Sequence, residues 1–329
     1  MNTIFKKMDV IAGIDLGGTY TKFGLVNKKG DLLVDDFIKT DTEQSYQDFF
    51  KNLCDRIMLL KNEVDEPVVI KGIGLGAPSA NFITGDIESA SNLSWSETIP
   101  VTKLLQSYTK LPVTISNDAN AAAMGEMMFG AAKGVENFIS ITLGTGLGSG
   151  IVVNGKLVTG VTGHAGEMGH ILAVENGRLC ACGKLGCLET YVSAPGILKT
   201  VDKLLSSRDT DSELRQMNEI SPIAITEAAQ KGDLVALEVF DQTGKIFGRR
   251  LADTVAILNP ELIVLSGGLA KSGDLILEPT KKYMEESLVS IYRGTVEMKI
   301  SEMSKKNAAL LGAAAFMWQK LETLSPEFS

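Results

Sequence analysis

The sequence has no uninterrupted apolar stretch long enough to span a bilayer, which takes about 20 residues. Met1 to Asp9 carry Lys6 and Lys7 but not the apolar segment that a signal peptide needs. Membrane is therefore not an expected partner, and the cytoplasm is the expected compartment. A basic stripe is missing as well. The 32 lysines and arginines are spread along the chain and outnumbered by 40 acidic residues, for a net charge of -8. Nothing here neutralises a phosphate backbone, so nucleic acid is not expected either. Cysteine is scarce: Cys54 stands alone, and Cys180, Cys182 and Cys187 crowd together. This excludes a secreted disulfide framework and fits metal binding in a reducing compartment.

What is present is enough for a large core. A chain of 329 residues at 44% hydrophobic content normally splits into two domains. Val10 to Asp15, Thr21 to Val26 and Leu32 to Thr40 read as an antiparallel meander. Ser45 can cap a following helix whose apolar face is Phe50, Leu53, Ile57, Leu60 and Val64. Val68 to Leu75 is a buried strand, and Gly76 to Trp95 a long loop of the functional kind. Val113 to Asn117 is a strand before a helix. Phe138 to Leu143, a glycine turn, and Ser149 to Val153 then repeat the opening move, with Asn154-Gly155 as a tight hairpin signal. The second half is mainly helical, with a helix over Leu234 to Leu258 and a strand at Leu262 to Leu265 running into Ser266-Gly267-Gly268. No linker separates the halves. The boundary is expected near Asp118: residues 1–118, completed by a helix over 307–329, form one α/β domain, and residues 119–306 a second.

Several segments carry candidate chemistry. In Asp15-Leu16-Gly17-Gly18-Thr19 the glycines let backbone N–H groups approach an anion and Thr19 adds a hydroxyl; the alternative is a plain hairpin turn. Leu143 to Gly150 offers the same two readings. Neither segment has the Gly-Lys-Ser/Thr of a P-loop, and neither opens a helix as a dinucleotide fingerprint does. Asp118, where a strand meets a helix, is either an N-cap or a general base for a hydroxyl attacking a phosphoryl group. His170 with Cys180, Cys182 and Cys187 forms a donor set for a closed, structural tetrahedral zinc. Free buried thiols and an iron–sulfur cluster are the alternatives. A zinc knot would hold Glu167, Glu189 and a ring nitrogen close together, natural partners for vicinal hydroxyls. It would organise that side and leave the glycine hairpins, which lie elsewhere in the chain, alone.

Taken in order, Asp15 to Thr19, Asn117-Asp118-Ala119-Asn120, Leu143 to Gly150, Gly166 to His170 and the Cys180 to Glu189 run resemble the ROK sugar kinases, over roughly Asp9 to Leu269. The resemblance implies an α/β actin-like (ribonuclease H-like) ATPase fold, two domains with a nucleotide and sugar cleft between them, and a homodimer or homotetramer. It implies ATP with Mg²⁺ on phosphate loops at Asp15, Gly17, Gly18 and Thr19 and at Gly144, Thr145, Gly146 and Gly148, with an adenosine-side loop at Gly267 and Gly268. It implies Asp118 as the base, and a hexose against Asn92, Asn117, Asp118, Glu167, His170 and Glu189. Zinc falls on His170, Cys180, Cys182 and Cys187, with His170 giving different ring nitrogens to metal and sugar. Glu167 resembles the glucokinase pattern and implies glucose; N-acetylglucosamine, N-acetylmannosamine and fructose are the alternatives within the family. A non-catalytic ROK regulator, which carries a helix-turn-helix ahead of the kinase-like part, is the less favoured reading, because only nine residues precede the first strand.

Overall fold

The computed structural model describes residues 7–40, 43–88, 93, 95, 97–303 and 308–324. The chain forms two compact units: Met1–Gly134, Leu157–Ala165 and Met303–Ser329 make the first, Val135–Lys156 and Gly166–Glu302 the second. Among the described residues no helix is long and apolar enough to cross a membrane.

The first unit opens with β1 (Met8–Leu16), β2 (Tyr20–Asn27) and β3 (Leu32–Lys39), an antiparallel meander. Helix α1 (Tyr46–Leu60) follows, capped by the Ser45 hydroxyl, which accepts the Asp48 N–H at 3.1 Å. Then come β4 (Val68–Gly76), the short pair β5 (Ala80–Asn81) and β6 (Asp86–Ile87), α2 (Val101–Thr109), β7 (Val113–Ser116) and α3 (Asp118–Phe129). The sheet order is β3-β2-β1-β4-β7, with β4 parallel to both β1 and β7.

The second unit uses the same plan. Its strands are β8 (Phe138–Leu143), β9 (Leu147–Val153), β10 (Lys156–Leu157), β11 (Leu262–Ser266) and β12 (Glu297–Ile300), in the order β10-β9-β8-β11-β12. Here β11 lies parallel to β8 and β12. Its helices are α4 (Ala194–Ser207), α5 (Pro222–Gln230), α6 (Leu234–Leu258) and α7 (Asp274–Ser287), and the last helix of the chain is α8 (Ala308–Leu324). This pair of like-ordered sheets, antiparallel on one side and parallel on the other, is the actin-like pattern.

Alternation along β1 covers both faces of the first sheet. Val10, Ala12, Ile14 and Leu16 turn toward Phe49, Phe50, Leu53 and Ile57 of α1, whereas Ile11 turns toward Leu310, Met317 and Trp318 of α8. On that second face α8 lies almost on the backbone. A Cβ at Gly74 of β4 would run into the Ala313 carbonyl oxygen, and one at Gly312 into the Ala121 carbonyl oxygen of α3. The close crossing of α8 and α3, filled by Met124, Ala315 and Phe316, sets the direction of α3 and so the place of Asp118 at its start.

The same packing moves the division of the chain. It falls after Gly134 and not near Asp118, because α3 is bound to α8 of its own unit. Leu157–Ala165 also returns to the first unit, where the buried Asn81 donates to the Thr162 carbonyl at 3.0 Å.

Gly74→Ala is expected to lower unfolding free energy by about 3 kcal/mol, the upper range for overpacking, since backbone must move to admit the methyl. A urea midpoint equal to wild type would show that α8 is not seated as described.

Candidate functional site

In the first unit the Gly17-Gly18-Thr19 segment closes the β1–β2 hairpin, with Gly17 N–H on the Tyr20 carbonyl at 3.2 Å. The Thr40 hydroxyl donates to the Gly17 carbonyl at 2.7 Å and its N–H to Thr19 at 2.9 Å, so the far end of β3 steadies the turn. Gly18 and Thr19 are exposed. Asp15, at the end of β1, is part-buried. Its carboxyl is pushed above the ordinary range by burial and by the nearby charge of Asp118, with Lys22 opposing.

The two readings of Asp118 separate here. The N-cap of α3 is Asn117, whose side-chain oxygen accepts the Asn120 N–H at 2.8 Å. Asp118 is the exposed first residue of the helix; Oδ1 accepts the Ala119 N–H at 3.0 Å, and Oδ2 has no hydrogen-bond partner among the described residues. Its carboxylate is therefore not spent on capping. The Asn117 amide nitrogen is likewise left over from the cap. Asn92 lies outside the described residues.

In the second unit the four donors His170, Cys180, Cys182 and Cys187 have their ligand atoms all within 4.8 Å of one another. Cys180 Sγ is 3.7 Å from His170 Nδ1, and Cys182 Sγ is 3.6 Å from Cys187 Sγ. A zinc tetrahedron with Zn–S near 2.3 Å and Zn–N near 2.0 Å has edges of about 3.5–3.8 Å, so donor identity and spacing both fit. The Lys184 backbone N–H beside Cys182 holds that thiol below its usual range, whereas burial pushes the Cys187 thiol up to about 12. All four cysteines of the chain are free.

Glu167 and Glu189 flank this knot on two short 3-10 turns, Met168–His170 and Leu188–Thr190, linked by the Leu188 N–H on the Ile171 carbonyl at 3.0 Å. Glu167 is exposed. Glu189 is half-buried. Its Oε2 accepts the Leu147 N–H at 3.0 Å, directly after the glycine turn Gly144-Thr145-Gly146, and its Oε1 is 3.9 Å from Cys180 Sγ. Separation in the chain suggests that the knot and the second glycine hairpin act independently; the structure seats one on the other. On the hairpin's other side, the Thr142 and Ser266 hydroxyls meet at 3.0 Å, where β11 runs into Gly267 and Gly268.

Arg178, between the metal donors, gives no sign of its role in sequence. Its guanidinium donates to the carbonyls of Thr190 and Gly196, both at 2.8 Å, and to Thr200 Oγ1 at 2.9 Å, while stacking over the Tyr191 ring. It pins the loop to the first turns of α4.

Comparison with known proteins converges on one family. Residues 11–320 match the ROK family. A glucokinase of Halalkalibacterium halodurans is 36% identical over 315 residues, covering 94% of each chain. A xylose repressor of Caldicellulosiruptor bescii is 30% identical over 316 residues, 95% of this chain and 79% of the repressor. Among solved structures, a ROK family glucokinase from Streptomyces griseus in complex with glucose and AMPPNP superposes with a TM-score of 0.73 at 31% identity, over 93% of this chain and 98% of that one.

The environment of Asp15 generates a stability test. Because its folded pKa is raised, ionisation costs stability above that value, and the cost vanishes as pH falls below the unfolded pKa of about 3.8. Asp15→Asn is therefore expected to raise the melting temperature of ligand-free protein at pH 7, with the gain shrinking toward pH 3.5. A variant that melts lower at pH 7, or by a pH-independent margin, contradicts this.

Proposed function

We propose that this chain, which belongs to the ROK family, is an ATP-dependent hexose kinase that converts glucose to glucose 6-phosphate. The observation that carries the reading is Asp118: an aspartate at the start of α3 whose neighbour Asn117 does the capping, leaving a carboxylate oxygen without a hydrogen-bond partner among the described residues.

The chemistry follows from what each group can do. A sugar hydroxyl is a weak nucleophile, and Asp118 takes its proton as the oxygen attacks the γ-phosphorus and ADP departs. Asn117 keeps one amide group on its helix and offers the other to a hydroxyl. Glu167 and Glu189 accept hydroxyl protons of the hexose, and His170, with Nδ1 turned to the thiolates, offers Nε2. In the two glycine turns the backbone N–H groups of Gly18 and Thr19 and of Thr145 and Gly146 donate to phosphate oxygens, and the turn at Gly267 and Gly268 receives the adenosine side. Asp15, part-buried and raised, sits where Mg²⁺ bound with ATP would favour its ionised form.

The donor set His170, Cys180, Cys182 and Cys187 suits zinc, which with four protein ligands supplies a cross-link and no open coordination position. Free thiols of this kind persist in the cytoplasm, the proposed compartment. A homodimer or homotetramer is the assembly the family resemblance implies.

Wild-type protein with Mg²⁺-ATP is expected to release ADP only when a hexose is added, with glucose giving the highest kcat/KM in a coupled assay. Asp118→Asn, which keeps the Asn117 cap, should lower kcat on the order of 10² or more with an unchanged melting curve. Near wild-type kcat in that variant removes Asp118 from the chemistry; a faster reaction with N-acetylglucosamine, N-acetylmannosamine or fructose reassigns the sugar.

Metal analysis is expected to find about one zinc per chain, from one complete ligand set. Purified protein that is active and metal-free would overturn the zinc assignment.

A further inference from the structure

We propose that Glu189 is a positioning residue for the second glycine hairpin, in addition to any contact it makes with sugar. The role itself is read from geometry within one unit; only its effect on nucleotide binding rests on the kinase reading.

The hairpin is anchored at both of its feet. At one, the Gly144 carbonyl accepts the Ala194 N–H at 2.8 Å. At the other, the Leu147 N–H goes to Glu189 Oε2 at 3.0 Å. Between the feet stand only Thr145, which is exposed, and Gly146. Gly146 packs against the carboxylate so closely that a Cβ there would stand 2.5 Å from Oε2.

Glu189 can serve as a brace because it is itself held. It follows the metal donor Cys187 by two residues on a 3-10 turn, and its carbonyl accepts the Ser193 hydroxyl at 2.7 Å. That hydroxyl in turn caps α4 by accepting the Gly196 N–H at 3.1 Å. Arg178 fixes the next carbonyl, that of Thr190. The carboxylate therefore reaches the hairpin from a rigid base. Holding a short backbone loop in its anion-binding shape beforehand lowers the ordering cost at binding. A loop without the brace would have to be ordered by the nucleotide.

The test compares Glu189→Ala with Glu189→Gln in the full chain, each checked for folding by circular dichroism and for unchanged zinc content. Hydrogen exchange over residues 143–150 is followed in nucleotide-free protein, and Mg²⁺-AMPPNP is titrated calorimetrically without sugar. Glu189→Ala should speed exchange at Leu147 and weaken AMPPNP about ten-fold. Glu189→Gln keeps an oxygen that accepts the Leu147 N–H, so it should restore most of both while glucose binding stays weakened. Unchanged exchange in Glu189→Ala overturns the proposal, as does a Gln variant as impaired as Ala in exchange and AMPPNP binding. Should Glu189→Ala lose its zinc or fold poorly, Gly146→Ala is read instead. Its methyl displaces Oε2, so exchange at Leu147 should rise, and an unchanged rate overturns the brace. The exchange measurement needs no nucleotide, whereas the kinase reading fails separately, on wild-type protein that forms no ADP with any hexose.

Discussion

Four potential donor atoms lie within 4.8 Å of one another in the least regular part of the second unit. From Gly166 to Ser193 the only repeating structure is two 3-10 turns, and although Ile171, Ala173 and Val174 rest on the core, other apolar residues of the loop between them do not. Leu172, Leu179 and Leu185 point outward, at 54%, 66% and 49% exposure. Polar contacts add to that packing: the donor cluster, the Lys184 ammonium on the His170 carbonyl at 2.9 Å, and the Arg178 fork. Glu167, His170 and Glu189 are all carried by it. Their arrangement thus depends both on these polar contacts and on the core beneath, where Met168 and Leu188 are buried.

The first unit solves the same problem by packing. Asp15 ends a strand covered on both faces, and Asp118 begins a helix pressed onto α8 at a crossing too close for side chains. Here the chemistry-bearing groups are placed by rigid elements, as precise placement generally requires. One consequence is a carboxyl at Asp15 whose ionisation burial disfavours. This is the kind of local cost that binding sites impose on stability.

Much of this was legible in the sequence, where short-range chemistry decides. The β1–β3 meander follows from alternation and turn residues, α1 from its Ser45 cap, and α6 from periodicity between Asp233 and Asn259. The cluster of His170, Cys180, Cys182 and Cys187 is legible because thiols and an imidazole at that spacing have few other uses. Elsewhere the deciding contact is distant. Helix α2 starts at Pro100 with no side-chain cap, and the edge strand β12 alternates Met298 with exposed charge, so neither stands out. Whether Asn117 or Asp118 caps α3 is a matter of one dihedral. The division after Gly134 and the bond from Leu147 to Glu189 depend on partners well removed in the chain, α8 and the metal loop respectively.

The order in which the units are written into the chain bears on biosynthesis. The second unit closes once Glu302 has left the ribosome, since Val135–Lys156 and Gly166–Glu302 are then complete. Strand β1 emerges first of the described elements, yet the cluster on its Ile11 face, to which α3 contributes Met128 and Phe129, is completed only by α8, the last of them. Until α8 emerges the nascent chain therefore carries a sheet with one apolar side incompletely covered, the kind of surface that chaperones engage.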